Sequence, residues 1–125
     1  TKTVFYLNGI QLARDASQQV HTGLAIETDS TLKNLQPGDL LFFGRKATKS
    51  KKERVTHVSI YMGKGLMIHS SGDAGIKIES LIRGADKFNE KRLHSFVRAK
   101  RMLTSLGENG VDLLAELGAY NAAEL

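Results

Sequence analysis

No cysteine occurs among the 125 residues. That absence excludes disulfides, thiolate zinc sites and a cysteine nucleophile within the sequence given. It leaves the redox compartment open, because cysteine-free proteins occur on both sides of a membrane. No apolar run approaches the roughly 20 residues of a helical membrane span. No internal repeat is visible, and no grouping of His, Asp and Glu has metal-ligand spacing, so no metal site is expected. Proline occurs once, at Pro37 in the turn signal Leu35-Gln36-Pro37-Gly38-Asp39. A starting Met and a signal peptide are also missing. The sequence opens on Thr1 and runs at once into Val4-Phe5-Tyr6-Leu7, which reads as a cut, with any targeting segment upstream.

What is present describes one compact domain. The chain has a mass of 13.7 kDa, with 41% hydrophobic and 25% charged residues, a globular rather than a disordered composition. Lys and Arg outnumber Asp and Glu by 18 to 13, giving a net charge of +5. This admits nucleic acid, cell-wall polymers and anionic surfaces as partners without choosing among them. Most of the basic excess sits in residues 45–54, Arg-Lys-Ala-Thr-Lys-Ser-Lys-Lys-Glu-Arg. That run lacks interleaved aromatics and reads as a solvated connection, so no nucleic-acid partner is expected.

Patterning predicts an α+β domain with a mostly antiparallel sheet. Residues 1–7 read as a helix end or short strand, stopped by Asn8-Gly9. Residues 15–21 suit a short helix that Asp15 caps and Gly23 ends. Leu40-Leu41-Phe42-Phe43 is a buried strand. Residues 55–62, 66–70 and 75–80 are strands, 80–92 are irregular or briefly helical, 93–103 form a longer last strand, and 111–117 make a helical turn.

The chemistry concentrates in Val55-Thr56-His57-Val58-Ser59-Ile60-Tyr61-Met62 and Met67-Ile68-His69-Ser70-Ser71-Gly72. Alternation puts His57, Ser59 and Tyr61 on one strand face and Val58, Ile60 and Met62 on the other, taken as the core side. A three-residue hairpin loop, Gly63-Lys64-Gly65, pairs Met62 with Leu66 and Ser59 with His69, which brings His57 diagonally beside His69. A loop of even length would send the two histidines to opposite faces. Neighbouring imidazoles suit a general base and its orienter, while spacing alone fits two polar residues on a half-exposed face equally well. Ser59 lacks the sharp turn or helix terminus that activates a serine nucleophile. Tyr61 reads as packing, and His21 and His94 as surface residues.

Three ordered motifs, Leu35-Gln36-Pro37-Gly38-Asp39-Leu40-Leu41-Phe42-Phe43, Thr56-His57-Val58-Ser59-Ile60-Tyr61-Met62-Gly63 and Met67-Ile68-His69-Ser70-Ser71-Gly72, strongly resemble the NlpC-like cysteine peptidases of bacterial cell-wall metabolism. The resemblance covers residues 1 to about 103. It implies a permuted papain-like fold, lacking its N-terminal helical portion in this chain, with residues 1–105 as the C-terminal part of a catalytic domain and 106–125 as a tail. It also implies hydrolysis of γ-D-glutamyl-diamino acid bonds in peptidoglycan stem peptides or muropeptides, with His57 as base, His69 as the orienting third residue and no cofactor. The family's cysteine stands in an Asp-Cys-Ser-Gly motif just before the segment that resembles residues 1–6, so the chain alone is expected to be inert. Leu12-Ala13-Arg14-Asp15-Ala16-Ser17-Gln18-Gln19 resembles a substrate-side motif in which Asp15, assisted by Ser17, holds the amino end of a short peptide, with Arg14 as a further substrate-binding candidate. Asp15 equally serves as a helix cap, and the two roles are compatible. Upstream wall-binding domains accompany this picture, in either an envelope or a cytoplasmic recycling setting. The alternative is a peptidoglycan-binding module that kept the cleft and lost the thiol.

Overall fold

A computed structural model describes residues 10–11, 16–21, 23–29, 31–70, 75–102 and 112–113. In chain order the elements are β1 (Ile10–Gln11), α1 (Ala16–Gln19), β2 (Leu24–Ile26), β3 (Leu40–Arg45), β4 (Arg54–Gly63), β5 (Leu66–Ser70), β6 (Ile76–Ser80), α2 (Glu90–His94), β7 (Phe96–Arg101) and β8 (Asp112–Leu113). Six strands form one antiparallel sheet in the order β2-β7-β3-β4-β5-β6, and β1 pairs with β8. This is the expected α+β architecture. The Asn8-Gly9 stop, Arg14 and Asp15 lie outside the described residues.

β3 organises the core. Its first four residues are all fully buried, because a strand with neighbours on both edges and material on both faces exposes nothing. Leu40 and Phe42 pack with Val20, Val55 and Met102 on one face, while Leu41 and Phe43 pack with Tyr61, Met67, Leu81 and Ala99 on the other. The face taken as the core side of β4 is therefore not the better covered one. Met62 is 43% exposed, whereas Ser59 and Tyr61 are 1% and 6% exposed. Leu81, Leu93 and Phe96, from the connection after β6 and the start of β7, pack over the side that carries His57.

The turn before β3 is fastened from within. Asp39, 2% exposed, accepts from Arg101 Nε at 2.8 Å and Nη2 at 2.9 Å, and from the Gln36 backbone N–H at 2.8 Å. Gly38 N–H donates to the Tyr61 carbonyl, and Tyr61 N–H donates to the Asp39 carbonyl. Tyr61 Oη accepts from Gly65 N–H at 2.9 Å, so the tyrosine is a packing residue that also holds the hairpin.

That hairpin differs from expectation in an informative way. Gly63 pairs with Leu66, leaving a two-residue turn, Lys64-Gly65, whose φ values of 53° and 78° are those of the tight turn that matches strand twist. Yet Tyr61 pairs with Met67, and the register shifts between Tyr61 and Gly63. Met62 is thus a bulge residue, and the bulge restores the parity that an even turn would have reversed. A second irregularity lies in β3–β4, where Phe43 pairs with His57 but Gly44 with Val55, leaving Thr56 as the extra residue. Gly44 is required there, since a Cβ would lie 1.9 Å from the Arg54 carbonyl oxygen.

Two other boundaries move. The last strand was expected from residue 93, but Leu93 and His94 belong to α2, where Asn89 caps the helix by accepting from Arg92 N–H at 3.0 Å. Asp112–Leu113, within the segment expected to be helical, is a short strand. β2 carried no sequence signal.

Candidate active site

The site is a diagonal file of polar side chains crossing β4, β5 and β6. Continuing the Tyr61–Met67 register places Ser59 opposite His69 and His57 diagonally beside it. The ring contact follows directly, with His57 Nε2 2.6 Å from His69 Nδ1 and the rings edge-on at 4.8 Å between centroids. On β6, Glu79 pairs with Met67, which sets it diagonally beside His69 on the far side. Its Oε1 lies 2.7 Å from His69 Nε2. Its Oε2 accepts from Asn89 Nδ2 at 2.8 Å, and Asn89 is the cap of α2.

Hydrogen-bond direction in this file is set at the Glu79 carboxylate, which accepts from both sides. Arg92 N–H can only donate, so the Asn89 atom facing it is Oδ1, and the other end of the amide must be the NH2 that faces Glu79. The ionised Glu79 carboxylate only accepts, so His69 carries its proton on Nε2 and presents a lone pair at Nδ1. His57 must then donate from Nε2, which leaves Nδ1 as the basic nitrogen of that ring. Among the described residues, His57 Nδ1 has no hydrogen-bond partner.

Electrostatics keep both ends of the file in the required states. Burial pushes the His57 pKa down to about 4, helped by the positive charge of Arg92 and by His69, with Glu79 acting weakly the other way. The ring is therefore neutral near pH 7. For Glu79, burial acts to raise the pKa, but the hydrogen bonds from Asn89 and His69 outweigh it and hold the carboxyl below its usual range. His69 is 5% exposed and entirely supported by these partners. Phe43 lines the outer side, its ring centroid 5.9 Å from that of His57.

The two histidines named from the sequence are thus brought together, on one face. Ser17 is exposed on α1 and lines a cavity of about 610 Å³ with Val20, His21, Glu53, Arg54 and Thr56. Its motif neighbours Arg14 and Asp15 lie outside the described residues, so the cluster is described only in part. Ser59 is buried, and its hydroxyl donates to Met67 Sδ at 3.3 Å, an arrangement for packing rather than nucleophilic attack. His94 is a surface residue beside Arg83 and Glu90. No group of three or more potential metal ligands occurs among the described residues.

Glu79 and Asn89 were missed at the sequence level. Glu79 was placed on a strand, but the glycine-containing connection after β5 hides the parity that decides its face. Asn89 carried only the weak signal of a helix cap before Glu90.

Comparison with known proteins places this geometry. Residues 1–98 match the model of the NlpC/P60 family. A γ-D-glutamyl-L-lysine dipeptidyl-peptidase of Bacillus cereus is 39% identical over 70 residues, covering 56% of this chain and 19% of the relative. The enzyme of the same name from Bacillus subtilis is 37% identical over 68 residues, covering 54% and 21%. The chain therefore spans about a fifth of the length of these relatives. A crystal structure of an NlpC/P60 family protein from Bacillus cereus superposes with a TM-score of 0.63 at 31% identity, over 80% of this chain and 29% of that one.

Proposed function

The chain belongs to the NlpC/P60 family, and from that premise we propose that it is the base-bearing part of a cysteine peptidase that hydrolyses γ-D-glutamyl-diamino acid bonds in peptidoglycan stem peptides or released muropeptides. The curated relatives are named as peptidases of that linkage. The observation that carries the reading is the directed file from Asn89 through Glu79 and His69 to His57, which presents a neutral imidazole with Nδ1 unprotonated. Such a nitrogen is what an acyl-transfer base requires.

In this reading the nucleophile is the cysteine that the family resemblance implies before Thr1; none lies in the sequence given. His57 Nδ1 takes the thiol proton, and the thiolate attacks the γ-carbonyl carbon. The tetrahedral adduct collapses, the C–N bond breaks, and the departing amine takes the proton from His57. A water then gives its proton to the same nitrogen and attacks the thioester, releasing the acid and restoring the thiol. His69 holds the ring and its tautomer throughout. Asp15, with Ser17, receives the free amino end of the peptide and Arg14 is a further substrate-binding residue, with Ser17 at the rim of the cavity that also contains Glu53. Residues 1–105 form the C-terminal part of the catalytic unit and 106–125 its tail, and the 125 residues alone are inert.

The test is digestion of purified muropeptides by protein carrying the preceding residues, with His57→Ala beside it. Cleavage at the γ-D-glutamyl bond that His57→Ala abolishes supports the reading. Uncut muropeptides with both proteins refute it, and a residue other than cysteine at the nucleophile position assigns the chain to the binding-module alternative.

A further inference from the structure

Next to Thr56, the residue before His57, the fold builds a second hollow, of about 260 Å³, lined by Arg45, Arg54 and Arg92 together with Gly44, Thr56 and Ser95. Like charges gathered at one hollow repel; Arg45 and Arg54 are exposed and Arg92 is half-buried. Here none of the three is paired with a carboxylate among the described residues. Nearby acids are engaged elsewhere, Glu53 with Arg98 and Glu90 with Arg83.

Two of the three arginines are fixed in place before any ligand arrives. The Arg92 guanidinium lies over the Phe43 ring, 5.6 Å from its centroid, on a helix held by the Asn89 cap. Arg45 donates from Nη2 to the Lys52 carbonyl at 3.1 Å. The floor is the Gly44–Thr56 irregularity, where the absence of a side chain at Gly44 keeps the strands close and Thr56 is the residue before His57. Held guanidiniums with unpaired donors form a preorganised anion site, and their forked geometry suits a carboxylate.

We infer that this hollow is a subsite for a carboxylate of the peptide substrate, read by Arg92, Arg54 and Arg45. Arg54 and Thr56 line both this hollow and the larger one that contains Ser17 and Glu53. The two cavities therefore share a wall at Arg54 and Thr56, the residue before His57. The assignment rests on the peptidase reading for its substrate class. The carboxylate has two sources, the α-carboxylate of the D-glutamyl residue or the free carboxylate of the diamino acid that leaves.

Three synthetic peptides separate these: L-Ala-γ-D-Glu-L-Lys with both acids free, the same peptide with the D-glutamyl α-carboxyl as amide, and the same peptide with the C-terminal carboxyl as amide. Full-length protein is assayed for kcat/KM on each and titrated calorimetrically with each. One amide is expected to lose about 10- to 100-fold relative to the free acid, the range for a hydrogen bond to a charged group, and its identity names the source. The acid-to-amide ratio falls toward one in Arg92→Gln and Arg54→Gln. A ratio is the right readout because Arg92 also acts on His57, an effect that cancels between substrates, and Arg54→Gln on an exposed strand start guards against misfolding of the first variant. Equal turnover of all three peptides overturns the subsite and leaves the peptidase reading intact. Preferential binding of the free acid without cleavage of any peptide upholds the subsite and overturns the peptidase reading.

Discussion

Glu79→Gln tests the directed hydrogen-bond file most sharply, because it changes one atom and the structure fixes what that atom must do. A glutamine at this position faces two neighbours with opposite needs. Asn89 offers an NH2 group, pinned by its Oδ1 bond to Arg92 N–H, and His69 Nε2 must be protonated if His57 is to stay basic at Nδ1. With its NH2 toward Asn89, the glutamine keeps the productive tautomer but sets donor against donor and loses one hydrogen bond. With its oxygen toward Asn89 every bond is satisfied, but the glutamine NH2 donates to His69 Nε2. His69 then donates from Nδ1 to His57 Nε2, and the proton of His57 moves to Nδ1, where it blocks the base. The second arrangement is favoured by about the cost of one unsatisfied buried group, roughly 1–3 kcal/mol. The productive fraction therefore drops about 5- to 150-fold. The expected result is a fall of that size in kcat with KM little changed, accompanied by a switch of the His57 and His69 tautomers seen in long-range ¹H–¹⁵N correlation spectra. Glu79→Gln with wild-type kcat and His57 still protonated on Nε2 would refute the reasoning, since the file would then not transmit direction.

Other outcomes follow from single features. His57 is expected to titrate near 4 rather than near 6.5 in ¹H–¹⁵N spectra of protein with its thiol blocked, and an ordinary value there would remove the burial argument. Because the folded pKa is depressed, the unfolded chain binds the proton more readily between these values. The contribution of His57 to stability is therefore complete above about 6.5 and declines as the pH falls toward 4, which denaturant midpoints across that window should follow. Asp39→Ala strips Arg101 of both bonds to the buried carboxylate and leaves Gln36 N–H without its acceptor. A loss of about 3–5 kcal/mol is expected from breaking such a pair, and a thermal midpoint lowered by only a degree or two would contradict it. Gly44→Ala drives a methyl group into the Arg54 carbonyl, at a cost of about 1–3 kcal/mol. Its chemical-shift changes should concentrate at Thr56 and His57, and changes spread evenly over the sheet would show that the strand irregularity is not what Gly44 protects.

How much of this was legible in the sequence depends on whether the deciding feature is local. The four apolar residues of β3, the turn at Pro37-Gly38 and the His57 and His69 strands all announce themselves through side-chain type within a few positions, and their elements lie where the pattern put them. The core side of β4 does not announce itself so well. Val58, Ile60 and Met62 look more apolar than His57, Ser59 and Tyr61, but what buries a face is the material laid over it, and Leu81, Leu93 and Phe96 come from beyond the next two strands. The hairpin shows the same limit at shorter range. An odd loop and an even turn with one bulge give the same register, so the reasoning reached the correct pairing through the wrong turn. What selection must preserve here is parity, because parity alone decides whether His57 and His69 meet.

Parity also explains why the file could be read only as far as His69. From β4 to β5 the connection is short and its glycines limit the choices. From β5 to β6 the chain passes through Ser71-Gly72-Asp73-Ala74-Gly75, a connection permissive enough for either parity, and from β6 to Asn89 it runs through irregular structure. Glu79 and Asn89 therefore enter the site by tertiary placement. Yet they decide which nitrogen of His57 is basic, since a pair of histidines without an outside reference has two equivalent ways to share its protons. The Glu79 carboxylate, which can only accept, breaks that symmetry, and the Asn89 amide, oriented by Arg92 N–H, helps to hold it ionised. The ionisation of that carboxylate is thereby tied to the N-terminus of a five-residue helix. Asn89→Ala removes a hydrogen bond that lowers the Glu79 pKa, so near pH 7 it should leave both tautomers in place, and on acidification it should let them switch at a higher pH than in the wild type.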